Sequence, residues 1–168
     1  MLIKHNSEQQ KVVQNNLGNS LRALGELTRC DATLKEAVEA LTAALNLENR
    51  ANHPLGWETA QNNLALAQRW RGEITAEASF FDAAREGYAA CETVDLRTKA
   101  SFQWARLHWN IADLAVARYT VDPDPAHLVE ARHYLAQARA IFVEGSEYQT
   151  QRCDDLLAKI DAANALKY

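Results

Sequence analysis

Three stretches of this 168-residue chain superimpose at one constant offset, and that self-similarity restricts the folds open to it more than any single residue does. Gln14-Asn15-Asn16-Leu17 returns as Gln61-Asn62-Asn63-Leu64 and, in degraded form, as His108-Trp109-Asn110-Ile111, a step of 47 residues each time (61 − 14 and 108 − 61). A second landmark keeps the same step. Ala37, Leu41 and Ala44 are followed by Ala84, Tyr88 and Cys91, and then by Ala131, Leu135 and Ala138. Two landmarks in phase describe a repeat protein, in which each unit buries a face that its neighbour covers. Function in such chains resides on the surface that stacking creates. Partner binding is therefore the leading expectation, ahead of catalysis.

The spacing of apolar residues within each unit is that of paired helices. Ser7-x-x-Gln10 has the form of a capping box opening a first helix. Val12, Val13, Leu17, Leu21 and Leu24 form its stripe, and Gly25 marks its end. Thr33-x-x-Glu36 reads as the start of a second helix, with Leu34, Ala37, Val38, Leu41 and Leu45 facing inward. After a break at residues 49–54 the pattern restarts, from about Leu55 to Arg71, with Gly72 as punctuation, then from about Ala76 to Glu92. A third pair runs from about Leu96 to Tyr119 and from Pro125 to Val143, the latter announced by Asp124-Pro125. Ser146-x-x-Gln149 opens a last helix, about Tyr148 to Leu166. Its polar side (Arg152, Asp154, Asp155, Lys159, Asp161) suits a cap over a solenoid's final apolar surface.

The expectation is thus all-α, with seven helices in one domain over residues 1–168. Its units are about 7–49, 54–93 and 95–143, followed by a capping helix at about 146–167. Met1 and the polar last helix read as the two ends of a whole protein.

The residues also resemble a family. The tetratricopeptide pattern places a large residue, Leu-Gly and an aromatic or aliphatic residue on one helix, then Ala and Phe on the next. Here the first unit has Leu17-Gly18, Leu21, Ala37-x-x-x-Leu41 and Ala44. The second has Leu64-Ala65, Ala84-x-x-x-Tyr88 and Cys91, and the third Ile111-Ala112, Ala131-x-x-x-Leu135 and Ala138. Each unit is about thirteen residues longer than the family's usual 34. With His53-Pro54-Leu55 ahead of Gln61-Asn62-Asn63-Leu64-Ala65, the chain looks like the long-repeat branch typified by kinesin light chain and many bacterial tetratricopeptide proteins. The resemblance spans about residues 10–143.

It implies an α-solenoid, a right-handed superhelix whose first helices line a concave groove for a peptide or helix of a partner protein. In relatives of this kind, groove asparagines meet ligand backbone and basic residues meet carboxylates. Carried onto this chain, the groove set is Asn15, Asn16, Asn19, Asn62, Asn63 and Asn110, with Arg69, Arg106, Trp70 and Trp109. The basic set that grips a Glu-Glu-Val-Asp tail is incomplete, since Asn15 and Asn110 stand where cations would be wanted.

The asparagines also have a purely structural explanation, each amide tying its helix to the next one. Trp57 and Trp104, 47 residues apart at helix starts, read as packing residues. Trp70 and Trp109 read as anchors facing the groove, against the alternative of rings tucked under loops. The first helices carry Lys11, Arg22, Arg69, Arg71, Arg106 and Arg118, whereas the second helices carry Glu36, Glu39, Asp82, Glu86, Glu92 and Glu130. That partition would draw an acidic segment inward.

Composition removes other classes. A formal charge of −4 is unsuited to neutralising phosphates, so nucleic acid is not an expected partner. No apolar run approaches the ~18 residues of a membrane span. Three scattered cysteines do not form a disulfide framework, which fits a cytoplasmic protein. His5, His53, His108, His127 and His133 form no recognised ligand set, and no phosphate loop, nucleophile elbow or carboxylate pair is present. No cofactor, metal or catalytic activity is therefore expected. Two rival readings are a self-associating assembly unit, including a homodimer, and a small-molecule or enzymatic helical domain.

Overall fold

A computed structural model describes residues 2–165, with side chains from Ser7 onward. The described residues are all-helical: α1 (Leu2–Thr28), α2 (Asp31–Asn46), α3 (Pro54–Thr75), α4 (Ala78–Glu92), α5 (Leu96–Lys99), α6 (Ser101–Val121), α7 (Pro125–Phe142) and α8 (Glu147–Ala165). The chain divides into two compact units, Met1–Val94 and Asp95–Tyr168. The ends expected at Leu166 and beyond lie outside the described residues.

In the first unit α1 packs along α2, α3 packs along α4, and α2 lies against α3. The fit between paired helices depends on glycine. A methyl group on Gly18 would stand 2.5 Å from Leu41 Cγ, and one on Gly25 would stand 2.7 Å from Leu34 Cγ. The next hairpin repeats the arrangement 47 residues on, where a methyl on Gly72 would meet the Phe81 ring at 3.0 Å. Leu34, Leu41, Phe81 and Tyr88 are fully buried with Ala37, Ala44, Ala84 and Cys91. Small residues on one helix thus receive large ones from its partner at interior packing density.

This corrects two expectations. Gly25 and Gly72 do not end their helices, which run on to Thr28 and Thr75. Their missing side chains admit Leu34 and Phe81. The true ends use left-handed residues that are not glycine, Arg29 (φ 51°) and Ala76 (φ 58°), again 47 apart. At Arg29 both bonds of a Schellman closure form, Cys30 N–H to Gly25 O at 3.0 Å and Arg29 N–H to Glu26 O at 3.4 Å.

The two early capping boxes also fail. Ser7 lies inside α1, because residues 2–6 contain no breaker and the helix already runs there. Thr33 lies inside α2, which starts at Asp31 directly out of the Schellman turn, with a carboxylate in its first turn. Later signals are realised. Asp124 accepts a hydrogen bond from the Ala126 N–H at 2.9 Å, and Ser146 Oγ accepts one from the Gln149 N–H at 3.2 Å.

In the second unit α6 packs along α7, and α7 along α8. Its core gathers Ala105, Ala112, Ala115, Leu128, Ala131, Leu135, Ala138 and Phe142 with Cys153, Leu156 and Ile160 of α8. The described helices number eight where seven were expected, because the helix foreseen from Leu96 breaks at Ala100 (φ −156°, ψ 64°). Neither proline nor glycine marks that break. Leu96 ahead of it is buried, and beyond it the Trp104 and His108 rings lie 3.8 Å apart between centroids.

Candidate partner-binding surface

Helix α3 supplies most of the residues singled out from sequence, and its wheel separates them. Asn63 and Trp70 are seven residues apart, on one face, and both are half-buried. Asn62 and Arg69, one position earlier, turn inward and are buried. Arg69 reaches Glu73 Oε2 at 2.7 Å and places its guanidinium 4.1 Å from the centre of the Trp70 ring. The indole is therefore held by a cation while part of its surface stays open. That is the geometry of an aromatic anchor with a fixed orientation.

On α1, Asn16 is exposed, whereas Asn15 and Asn19 are half-buried. Asn63 Nδ2 donates to Asn15 Oδ1 at 3.1 Å, so these two amides connect α3 to α1. Asn15 also borders a cleft of 220 Å³ whose rim includes Lys11, Val12, Glu48 and Thr59. Lys11 lies between Glu8 (2.7 Å) and the nearly buried Glu48 (3.3 Å). Both carboxylates favour its charged form, Glu8 the more strongly, and its pKa is raised.

A second cation fixes the neighbouring helix contacts. Arg71 makes a two-pronged contact with Asp31, at 2.7 and 3.1 Å, and lies 4.0 Å from the Phe80 ring centre. One side chain of α3 thus touches α2 and α4 together. The Arg71 guanidinium, hydrogen-bonded to Asp31, holds that carboxyl below its ordinary value. Nothing in the sequence spacing disclosed this clasp.

In the second unit Arg106 is half-buried and Asn110 is buried. Trp109 packs against the core there, with the Arg152 guanidinium 3.7 Å from its ring centre. Its indole N–H is buried without an acceptor among the described residues. A cleft of 210 Å³ opens beside it, lined by Trp109, Asp113, Arg152, Asp155, Leu156 and Lys159. Trp70 and Trp109, grouped from sequence as equivalent anchors, therefore have different surroundings. Trp109 occupies the site of Asn62, not that of Asn63, yet it is half-buried while Asn110, at the site of Asn63, is buried.

Trp104 packs against the core of the second unit and Trp57 is half-buried, and the two share a feature that the sequence held unnoticed. Arg50 lies 4.3 Å from the Trp57 ring centre and Arg97 lies 5.4 Å from that of Trp104, each arginine seven residues ahead of its tryptophan. The 47-residue step from Arg50 to Arg97 was the available signal.

Comparison with family models, with curated proteins and with solved structures finds no match to this chain.

Proposed function

We propose that this chain is a non-catalytic, tetratricopeptide-like adaptor that holds an extended or helical segment of another protein. In this reading its three long hairpins stack as a right-handed solenoid, with α8 as the cap. Support for the repeat comes from side chains that recur at the 47-residue step with the same partners: Gly25 with Leu34 and Gly72 with Phe81, Arg50 with Trp57 and Arg97 with Trp104.

The observation that carries the binding role is the α3 face, where the half-open Trp70 ring backed by Arg69 shares one side of the helix with Asn63. An apolar side chain of the partner would cover the indole, and its main chain would meet Asn16 and Asn19 of α1. The basic bias of the first helices favours an acidic segment. Asn62 and Asn110 support the helices more than they meet the ligand in this account, because both are buried, and Trp109 does so because it packs against the core of the second unit.

The test pans a displayed library of random peptides against the full chain. Enrichment of acidic peptides carrying an aromatic or aliphatic residue is expected. Trp70→Ala should weaken their binding by at least about thirtyfold, the equivalent of ~2 kcal/mol, with helicity and Tm close to wild type. Peptides that bind Trp70→Ala as well as wild type, or no enrichment at all, would remove the α3 face as the site.

A further inference from the structure

Helix α1 has an apolar face that stands open among the described residues. Val13, Leu17, Leu24 and Leu27 are 60, 47, 50 and 83% exposed, and with Ser20 between them they recur at steps of four and three residues. That is the spacing of a coiled-coil seam, carried over two heptads. The opposite side of α1 is the packed one, where Gly18 and Gly25 meet Leu41 and Leu34.

The corresponding face of α3, 47 residues on, shows what such a surface is for. There Ala60 and Ala67, at the sites of Val13 and Ser20, are 4 and 0% exposed, and α2 packs against α3. A helix of this kind is built to be covered on that side. On α1 Val13 is larger than its counterpart Ala60, yet it stands open.

Charge favours one occupant. The ionisable side chains of α1 from Ser7 onward are Glu8, Lys11, Arg22 and Glu26, and these lie away from the seam, in ion pairs with one another or with Glu48. The seam is flanked by neutral Gln9, Gln10, Asn16 and Ala23. Such a strip repels nothing when it meets an identical strip. Head-to-tail docking of α8 would instead bring its exposed Asp155, Lys159 and Asp161 toward this surface and strand charges against apolar side chains. Contiguous apolar patches above a few hundred Å² mark interaction sites, and a two-fold contact pairs each patch with itself.

We infer that α1 is an isologous dimerisation helix: the Val13–Leu17–Leu24–Leu27 seam packs against the same seam of a second copy of this chain. The small Ser20 at its centre lets the two backbones approach. This is independent of the peptide-binding face on α3.

Sedimentation equilibrium of the full chain over a dilution series is expected to show a reversible monomer–dimer equilibrium with no larger species. Leu17→Glu with Leu24→Glu should raise the dissociation constant more than about a hundredfold, while circular dichroism and melting of the monomer stay native. Because those leucines are already half-exposed, the charges do not enter a core. As a second readout, a Leu24→Lys chain and a Leu24→Glu chain, each weakened alone, should regain association when mixed. A wild-type chain that stays monomeric throughout would overturn the assignment. So would an open series of trimers and higher species, a dimer insensitive to the seam charges, or a mixture that shows no rescue.

Discussion

Gly25 lies so close beneath Leu34 that a methyl group added to it would stand 2.7 Å from Leu34 Cγ and 3.2 Å from the Leu34 backbone nitrogen. Glycine within a helix costs about 1 kcal/mol relative to alanine, so a helix of this length retains it for what it admits. Gly25→Ala sets that gain against forced displacement of a fully buried leucine, a cost of about 1–3 kcal/mol. The expected outcome is a net loss of roughly 1 kcal/mol in urea unfolding. Gly145, with nothing within 4 Å of an added methyl, is the control, and Gly145→Ala should cost nothing.

Ala76 closes α3 at φ 58°, a conformation that disfavours any residue with a side chain. Ala76→Gly removes that strain at an exposed position. Stability should rise by about 0.5–1 kcal/mol, with the Tm increasing and the far-ultraviolet spectrum unchanged. A neutral or lower Tm would show that the left-handed turn is not a burden here.

The Asp31–Arg71 pair predicts a specific acid sensitivity. Bonding to Arg71 lowers the folded pKa of Asp31 below that of the unfolded chain. Its stabilising effect is therefore complete above the unfolded value near 4 and is lost as the pH falls through the folded value. Asp31 is about a third exposed, so solvent limits the pair to about 0.5–1 kcal/mol. Asp31→Asn should lower stability by that amount at pH 7, and its stability should fall less steeply than wild type below about pH 5. Parallel curves for the two proteins would mean that the pair contributes nothing.

The three cysteines should separate by reactivity. Burial pushes the Cys153 thiol up to about 11, and both Cys91 and Cys153 are inaccessible. Cys30 is half-buried at the start of α2, where bonding to Thr33 lowers its pKa. A limited pulse of iodoacetamide at pH 7.5 should therefore label Cys30 first, with the other two reacting only on unfolding. Mass spectrometry of the peptides decides the order, and early label on Cys153 would contradict the packing of α8.

How much was readable from sequence can be judged residue by residue. Leu34, Leu41 and Leu135 were placed in the core by their spacing, but spacing alone did not decide burial, since the stripe read on α1 leaves Val12, Val13, Leu17 and Leu24 between 47 and 60% exposed. Asp124-Pro125 and Ser146-x-x-Gln149 located two helix starts, since both are local signals. Gly25 and Gly72 were misread because a glycine carries two messages, a free backbone and an absent side chain, and only the neighbour shows which is in use. The break at Ala100 was invisible because neither proline nor glycine stands there to signal it. Trp70 and Trp109 were grouped together because each departs from a polar or small residue one unit earlier. Both indoles are half-buried, and what separates them is the neighbouring cation, Arg69 of the same helix for Trp70 and Arg152 of α8 for Trp109.

The sequence by itself determined the all-helical character, the 47-residue step and most of the buried apolar positions, because periodicity and capping are properties of neighbours along the chain. Tertiary structure decided which amides face one another, which cation covers which ring, and that the seam of α1 stands open while the same face of α3 is covered. Those are distances between residues far apart in sequence, and they exist only once the helices have packed.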